Sequence, residues 1–455
     1  MAKMTGNYSH NNGYSVDRAL MKELKAWKTS SLRYPILLRG ARQVGKTYLV
    51  EQFAAEEFES LVTVNFEAQP EAIACFESLD PSEILIRLET ALKKPIKPGK
   101  TLLFLDEIQA CHRAIASMRY FKEKMPQLHL IGAGSLLEFA LIQGKFSFPV
   151  GRVQFLHLKP LSFEEFAKAR GKQLPNIQQC SLKDPPSAET HREMLQLVRE
   201  YFLIGGMPAA VAHFCTSHSM LECSRIHDIL LGTYRADFSK YATEAKQKYL
   251  RLLFDGIPQT IGQQFKYSKI DAHIRSRELK NGLDLLQWAG LIQLIQASSA
   301  SGIPLSAQLR RHQFKILFLD IGLVQRALEI DSQIIYHQDL TQINAGAMAE
   351  QFVGQELLAY SDPHRSDSLY YWQREKSGSD AEIDYVFTFE HKIYPIEVKA
   401  GKQGKLKSLQ QFMAEKKSPL GICISERPLA FEQSIMYVPF YLICQLPRLL
   451  KELPF

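Results

Sequence analysis

The 455-residue sequence has no apolar run approaching the roughly 18 residues of a membrane-crossing helix, so no membrane partner is expected. The N-terminus, MAKMTGNYSHNNGYSVDRALM, lacks the charged-then-apolar plan of an export signal, and the expected location is the cytoplasm. The seven cysteines are scattered, odd in number and without a Cys-x-x-Cys pair. That excludes a disulfide framework or zinc ribbon as the organising device and fits free thiols in a reducing compartment. Internal repeats and low-complexity tracts are missing, which removes solenoids and linker-like chains. A strong charge bias is missing as well: a net charge of +7 over this length permits contact with nucleic acid without arguing for it. What remains is an ordinary globular composition, 46% hydrophobic and 23% charged. At roughly 100 to 200 residues per domain, that length is enough for about three cores.

The apolar runs YPILLRG, LVTVNF, TLLFLDE and LHLIGAG alternate with helical stretches, which predicts an α/β fold with a mostly parallel sheet covered on both faces. The first run leads into GARQVGKT, a match to GxxxxGK[ST] placed between a strand and the helical YLVEQFAAEEF. Its residues Gly40, Ala41, Arg42, Gln43, Val44, Gly45, Lys46 and Thr47 are the candidate nucleotide-binding loop. Glycines let the backbone curl its N–H groups toward phosphates, and the helix N-terminus adds its positive dipole end. Lys46 is expected to reach the β- and γ-phosphates of ATP, and the Thr47 hydroxyl to hold Mg²⁺. The TLLFLDE strand ends in Asp106, a direct or indirect partner of that Mg²⁺, and Glu107, a general base toward the attacking water. Ser135, closing the LHLIGAG strand, is placed to sense the γ-phosphate or to cap a helix.

This combination resembles the AAA-type ATPases, in particular the prokaryotic class with an uncharacterised C-terminal region. The stretches GRVQFLHLKPLSFEEF, YFLIGGMPAAV, TYRADFSKY and FKILFLDIGLV share the resemblance, which spans nearly the whole chain. It implies ATP binding and hydrolysis, and it makes Arg152 the candidate arginine finger or second sensor, which in trans requires a homo-oligomer.

Beyond the Pro-containing insert KQLPNIQQCSLKDPPSAETH, short helices ending in LDLLQWAGLIQLI precede a Ser/Gly loop and an apolar strand, an order that suggests a winged-helix shape. Five Lys or Arg against two acids in KYSKIDAHIRSRELK, with Arg310, Arg311 and His312 in the wing, would either neutralise DNA phosphates or form a solvated or protein-contacting face. The expected parts are 15–171 (AAA-type ATPase), 172–242 (linker and helical extension), 243–340 (winged-helix-like) and 341–455.

In the last part, AEIDYVFTFEHKIYPIEVKAG alternates as two strands. A turn centred on Glu390 and His391 sets Asp384 directly opposite Glu397, where like charges about 4.5 to 5.5 Å apart call for a cation between them. With Lys399 on the same face, the pattern is that of a Mg²⁺ site beside an activating lysine. The Asp…Glu-x-Lys order resembles the PD-(D/E)xK nuclease fold, although the local proline is missing. That resemblance implies a further metal ligand on the preceding helix, Glu350 with Glu356 as competitor, and a glutamine on the following one, Gln410. Two functions are expected from the whole: an ATP-regulated DNA-processing enzyme with Asp384, Glu397 and Lys399 as nuclease residues, or an ATP-dependent switch that binds DNA or a protein partner without cleavage.

Overall fold

Four of the five strands of the first sheet are the apolar runs of the sequence. In the computed structural model, which describes residues 16–143, 148–172, 174–329, 345–366, 368–374, 381–401 and 405–453, they are β1 (Ile36–Arg39), β2 (Ser60–Asn65), β3 (Thr101–Asp106) and β4 (His129–Ala133). With β5 (Gln154–His157) they form, among the described residues, a sheet of order β2-β3-β4-β1-β5 in which every pair is parallel. Alternation along the strands divides the core. Leu102, Phe104 and Ile131 face Leu49, Val50 and Phe53 of the helix Lys46–Glu57. Their neighbours Leu103, Leu105 and Leu130 face the helices Pro81–Leu92 and His112–Lys124. A parallel strand covered on both sides has to be apolar throughout, and β3 and β4 are buried at every residue. β5 is short and fully buries only Leu156, so nothing in its local pattern announced a strand.

The middle region departs from the winged-helix expectation. The helix predicted through LDLLQWAGLIQLI stops at Trp288, because Gly290 takes a left-handed φ of +73° and Ile292 begins a strand. That strand, β6 (Ile292–Ser298), forms a hairpin with β7 (Leu309–Phe318), but the hairpin is not a free wing. β6 pairs in parallel with β8 (Leu369–Gln373), and Arg310, Arg311 and His312 lie within β7. Ile295 and Ala297 of β6 are almost fully buried, so pairing this edge keeps an apolar strand out of water. The remaining strands are β9 (Glu382–Phe389), β10 (Lys392–Val398), β11 (Gly421–Ser425), β12 (Ala430–Glu432) and β13 (Ile435–Pro439). Among the described residues the second sheet has eight strands, ordered β12-β13-β11-β10-β9-β8-β6-β7. The expected boundary between 340 and 341 lies outside the described residues, and the sheet joins strands from both sides of it.

Two stretches of the family resemblance meet in the interior. The fully buried Asp320 accepts hydrogen bonds from Gly206 N–H at 2.6 Å, Leu323 N–H at 3.2 Å and Gln355 Nε2 at 3.2 Å. A side chain on Gly206 would stand 2.1 Å from the Leu161 carbonyl oxygen, which is why glycine is needed there. IGGMP, FLDIG and the helix Ala345–Ala359 are therefore one packing knot that joins the part holding the first sheet to the C-terminal sheet.

Candidate functional site

The glycine-rich loop leaves β1 at the carboxyl end of the sheet, the usual ligand edge of a parallel α/β layer. Gly40 has φ +149° and a Cβ there would lie 2.3 Å from Leu158 O, while Gly45, with φ +92°, opens the helix Lys46–Glu57. Lys46 is buried, and its Nζ donates to the carbonyls of Gly40 and Ala41, both at 2.9 Å. Burial pulls this ammonium down to about 8, against the opposing pull of Glu107 and Asp106. Thr47 Oγ1 donates to Asp106 Oδ2 at 3.1 Å, which joins the two motifs predicted to share a cation. Asn65, at the end of β2, donates to the same oxygen at 3.2 Å. Burial raises the Asp106 carboxyl above the usual range, with Glu107 adding to the effect.

β4 lies between β1 and β3, so its tip brings Ser135 beside both. Glu107 adopts a left-handed backbone, φ +49° and ψ +44°, and its Oε2 accepts from Gln109 Nε2 at 2.7 Å and from Ser135 N–H at 3.5 Å. Such strain in a non-glycine residue is maintained where surrounding contacts enforce it. A hydroxyl and a carboxylate oxygen in contact form a hard-oxygen pair that fits Mg²⁺.

Other residues around the loop carried no local signal in the sequence. Arg18, buried, binds Glu165 Oε1 at 3.1 Å, Val44 O at 2.9 Å and Lys159 O at 2.6 Å. Arg42 Nη1 stands 2.7 Å from both carboxylate oxygens of Asp237 on the helix Met220–Tyr241, and Tyr234 Oη donates to Arg42 O at 3.0 Å. Those two partners belong to TYRADFSKY, whose role became legible only in three dimensions. Gly290 packs against Ala41, its Cβ position 3.3 Å from Ala41 N. A cavity of about 250 Å³ opens beside the loop, lined by Gly40, Ala41, Ser135, Lys159, Trp288 and Gly290 among others. Arg152 is not among the loop's neighbours; it is exposed, and its guanidinium pairs with Glu123 at 2.9 Å.

The C-terminal hairpin folds with the predicted turn: Glu390 and His391 both have positive φ, and the pairing runs from Lys392↔Phe389 to Ile396↔Tyr385. That register makes Asp384 and Glu397 the next opposed positions. There the Asp384 side chain enters the backbone pattern, accepting the Val398 N–H at 2.7 Å. Glu397 is not on an exposed face as a lone hairpin would have it: β10 also pairs with β11, and only 6% of Glu397 is exposed. Lys399 Nζ holds Glu397 Oε1 at 2.6 Å, while Glu397 Oε2 is buried without a partner. Burial, then Asp384, push the Glu397 carboxyl up to about 7.

Glu350 faces this cluster and Glu356 does not. Six residues on a helix turn the side chain by roughly 240°. Glu356 accordingly leaves the cluster to accept the Phe163 N–H at 3.0 and 3.1 Å, capping the helix Phe163–Ala169. Gln410 is exposed, since Leu409 and Phe412 take the inward side of the helix Lys407–Lys416. The expected convergence of Glu350, Asp384 and Glu397 on a metal is not what the structure has. Lys315 of β7, which the sequence did not single out, reaches Glu350 at 2.8 Å, Glu382 at 2.5 Å and Asp384 at 3.8 Å. Burial works against this ammonium, but the carboxylates of Glu350, Asp384 and Glu382 outweigh it and hold its pKa above the ordinary lysine value. Among the described residues no group of three or more His, Cys, Asp or Glu side chains is arranged to hold a metal ion. With Lys315 inside the acid cluster and Lys399 on Glu397, these residues do not fit the implied Mg²⁺.

Comparison with known families matches residues 32–167 to a model described as an AAA domain. Residues 195–334 and 345–443 each match a domain of unknown function, DUF8612 and DUF4143. No curated protein matches the chain. Among solved structures, the chain is similar to the Aeropyrum pernix Orc1 protein in complex with DNA, at 13% identity over 69% of this chain and 91% of that one, with a TM-score of 0.29. It is similar to the Thermotoga maritima RuvB Holliday junction branch migration motor at 17% identity, over 61% and 89%, with a TM-score of 0.29. For the S. cerevisiae Hsp104–ADP complex the identity is 14%, over 61% and 40%, with a TM-score of 0.28. Taken with the glycine-rich loop, the acid-ended β3 and the five-stranded parallel sheet, the match makes residues 32–167 similar to an AAA domain with a P-loop fold.

Proposed function

We propose that the chain binds and hydrolyses ATP and uses its nucleotide state to change its hold on DNA, without cutting it. The observation that carries this reading is the bond from the loop's Arg42 to Asp237, which ties the phosphate-binding element to the helix Met220–Tyr241 and the region that follows. In ATP binding, Lys46 exchanges its two loop carbonyls for the β- and γ-phosphates, and loop N–H groups receive the phosphate oxygens. Thr47 and Asp106 would hold Mg²⁺, which supplies charge neutralisation on the phosphates. Gln109 and Ser135 hold Glu107 Oε2, leaving Oε1 to accept the proton of the attacking water.

DNA is the partner this surface favours. Lys266, Lys269, His273, Arg275, Arg277 and Lys280 are exposed; Lys280 interacts with Asp284, whereas Lys266, Arg275 and Arg277 have no acidic partner among the described residues. Unpaired cations on one short stretch gain most from phosphate contact, through counterion release. The test is fluorescence anisotropy of a labelled duplex with ATPγS or ADP, for wild type and Lys46→Ala. DNA affinity indifferent to nucleotide in the wild type would sink the coupling. A homo-oligomer, with Arg152 of one copy serving the next copy's nucleotide, is a second reading. It is favoured by the exposed guanidinium beside Val150, which is 80% exposed. Light scattering with ATPγS, joined to an Arg152→Ala loss of turnover, tests it.

A further inference from the structure

The acid cluster of the C-terminal sheet has carboxylates from two elements, Glu350 on the helix Ala345–Ala359 and Glu382 and Asp384 on β9. Its cation comes from a third. Lys315 lies on β7, three strands from β9 in the sheet order, in the segment before residue 330. Register irregularities at Gln296/Ala297 and Tyr370/Trp372 bend the intervening strands, as bulges do. The Lys315 side chain is 1% exposed, less than any of its acids, at 10% for Glu350, 28% for Glu382 and 19% for Asp384. The Tyr371 ring stands 5.3 Å from Nζ, adding an aromatic wall to the cage. An ammonium has three donors to distribute, whereas Mg²⁺ demands near-octahedral oxygens at about 2.0–2.1 Å and keeps several waters. A buried ammonium among the carboxylates occupies the volume that such an ion needs and binds an oxygen each of Glu350 and Glu382.

We propose that Lys315 is a built-in cation standing where a divalent metal would neutralise the cluster, so that the C-terminal sheet takes no metal there and carries out no metal-dependent phosphodiester cleavage. Among the described residues, the buried carboxylate oxygen of this site without a partner is Glu397 Oε2, which lies on the Lys399 side and is a single oxygen. The inference stands on this cluster and does not rest on ATP hydrolysis or DNA binding.

The test uses the full chain without nucleotide, with Mn²⁺ titrated while melting temperature and the paramagnetic signal of free Mn²⁺ are followed. Wild type and Asp384→Asn are expected to bind equal Mn²⁺, because Asp384 holds none. A Mn²⁺ bound by the wild type and lost in Asp384→Asn overturns the proposal. Lys315→Met, which bares the carboxylates, is expected to melt roughly 10 °C lower and to recover part of that loss in Mn²⁺. Unchanged melting of Lys315→Met, or no greater Mn²⁺ response than the wild type, also overturns it. Should that variant not fold, the Asp384→Asn comparison still decides the question.

Discussion

Glu107 and Glu356 are both carboxylates near strand or helix ends, yet their surroundings give them different tasks. Glu107 is bonded to Gln109 and Ser135 at the tips of β3 and β4, where a water attacking phosphate would lie. Glu107→Gln is expected to lower ATP turnover by about 100-fold or more while leaving ATP affinity within roughly twofold, read by phosphate release and by displacement of a fluorescent nucleotide. Glu356 is sealed between the ATPase part and the C-terminal sheet, where burial raises its carboxyl to about 8 from an ordinary 4.5. The folded state therefore holds a proton that the unfolded state has released between those values. The stability contributed by Glu356 is full below about 4.5 and is lost as pH rises toward 8. Glu356→Gln keeps an acceptor for Phe163 N–H and removes the titration. Its melting temperature is expected to fall less between pH 5 and pH 8 than the wild type's, with Asp320, Glu350 and Glu397, whose carboxyls burial also raises, contributing to the remaining slope; an equal fall in both proteins would contradict this.

At the scale of elements, the loop Gly40–Thr47 is held from outside by helix and turn contacts as well as by its own glycines. Asp237 on the helix Met220–Tyr241 is a positioning residue in this reading: its carboxylate fixes Arg42. Asp237→Asn should raise the KM for ATP by roughly tenfold, the worth of a charge-assisted hydrogen bond, with kcat unchanged. Combined with Arg42→Ala, its effect should be far from additive. Additive losses in the double variant would show that the two residues act separately. The hairpin β9–β10 makes a different point about legibility. Its register followed from alternation and a two-residue turn, which are local properties. That β10 pairs with β11 on its far edge, and that Glu397 is buried, depends on contacts that no local pattern relates.

Across the whole molecule, the exposed cations of residues 266–280 and the nucleotide site lie on different parts joined through the helix Met220–Tyr241 and the Asp320 knot. Arg275→Ala with Arg277→Ala is expected to weaken duplex binding evenly across sequences. The slope of log affinity against log salt should shrink by about 1.8, two phosphate contacts' worth. An unchanged slope would place the DNA elsewhere.

The first sheet and its loop were legible because their signals are local: glycine positions in a strand–loop–helix turn, a fully apolar strand ending in Asp106 and Glu107, and alternating buried faces. The register of the β9–β10 hairpin was legible for the same reason. Contacts between residues far apart in sequence were not. Arg18 on Val44, Asp237 on Arg42 and Lys315 among Glu350, Glu382 and Asp384 join positions that neither helical nor strand periodicity relates. The sequence by itself determined that a glycine-rich strand–loop–helix turn sits at the head of β1 and that a line of acids sits in the last sheet. Only the tertiary structure decided that the acids are met by an ammonium from β7, because the approach of Lys315 depends on how an eight-stranded sheet bends and joins segments across the whole second half of the chain.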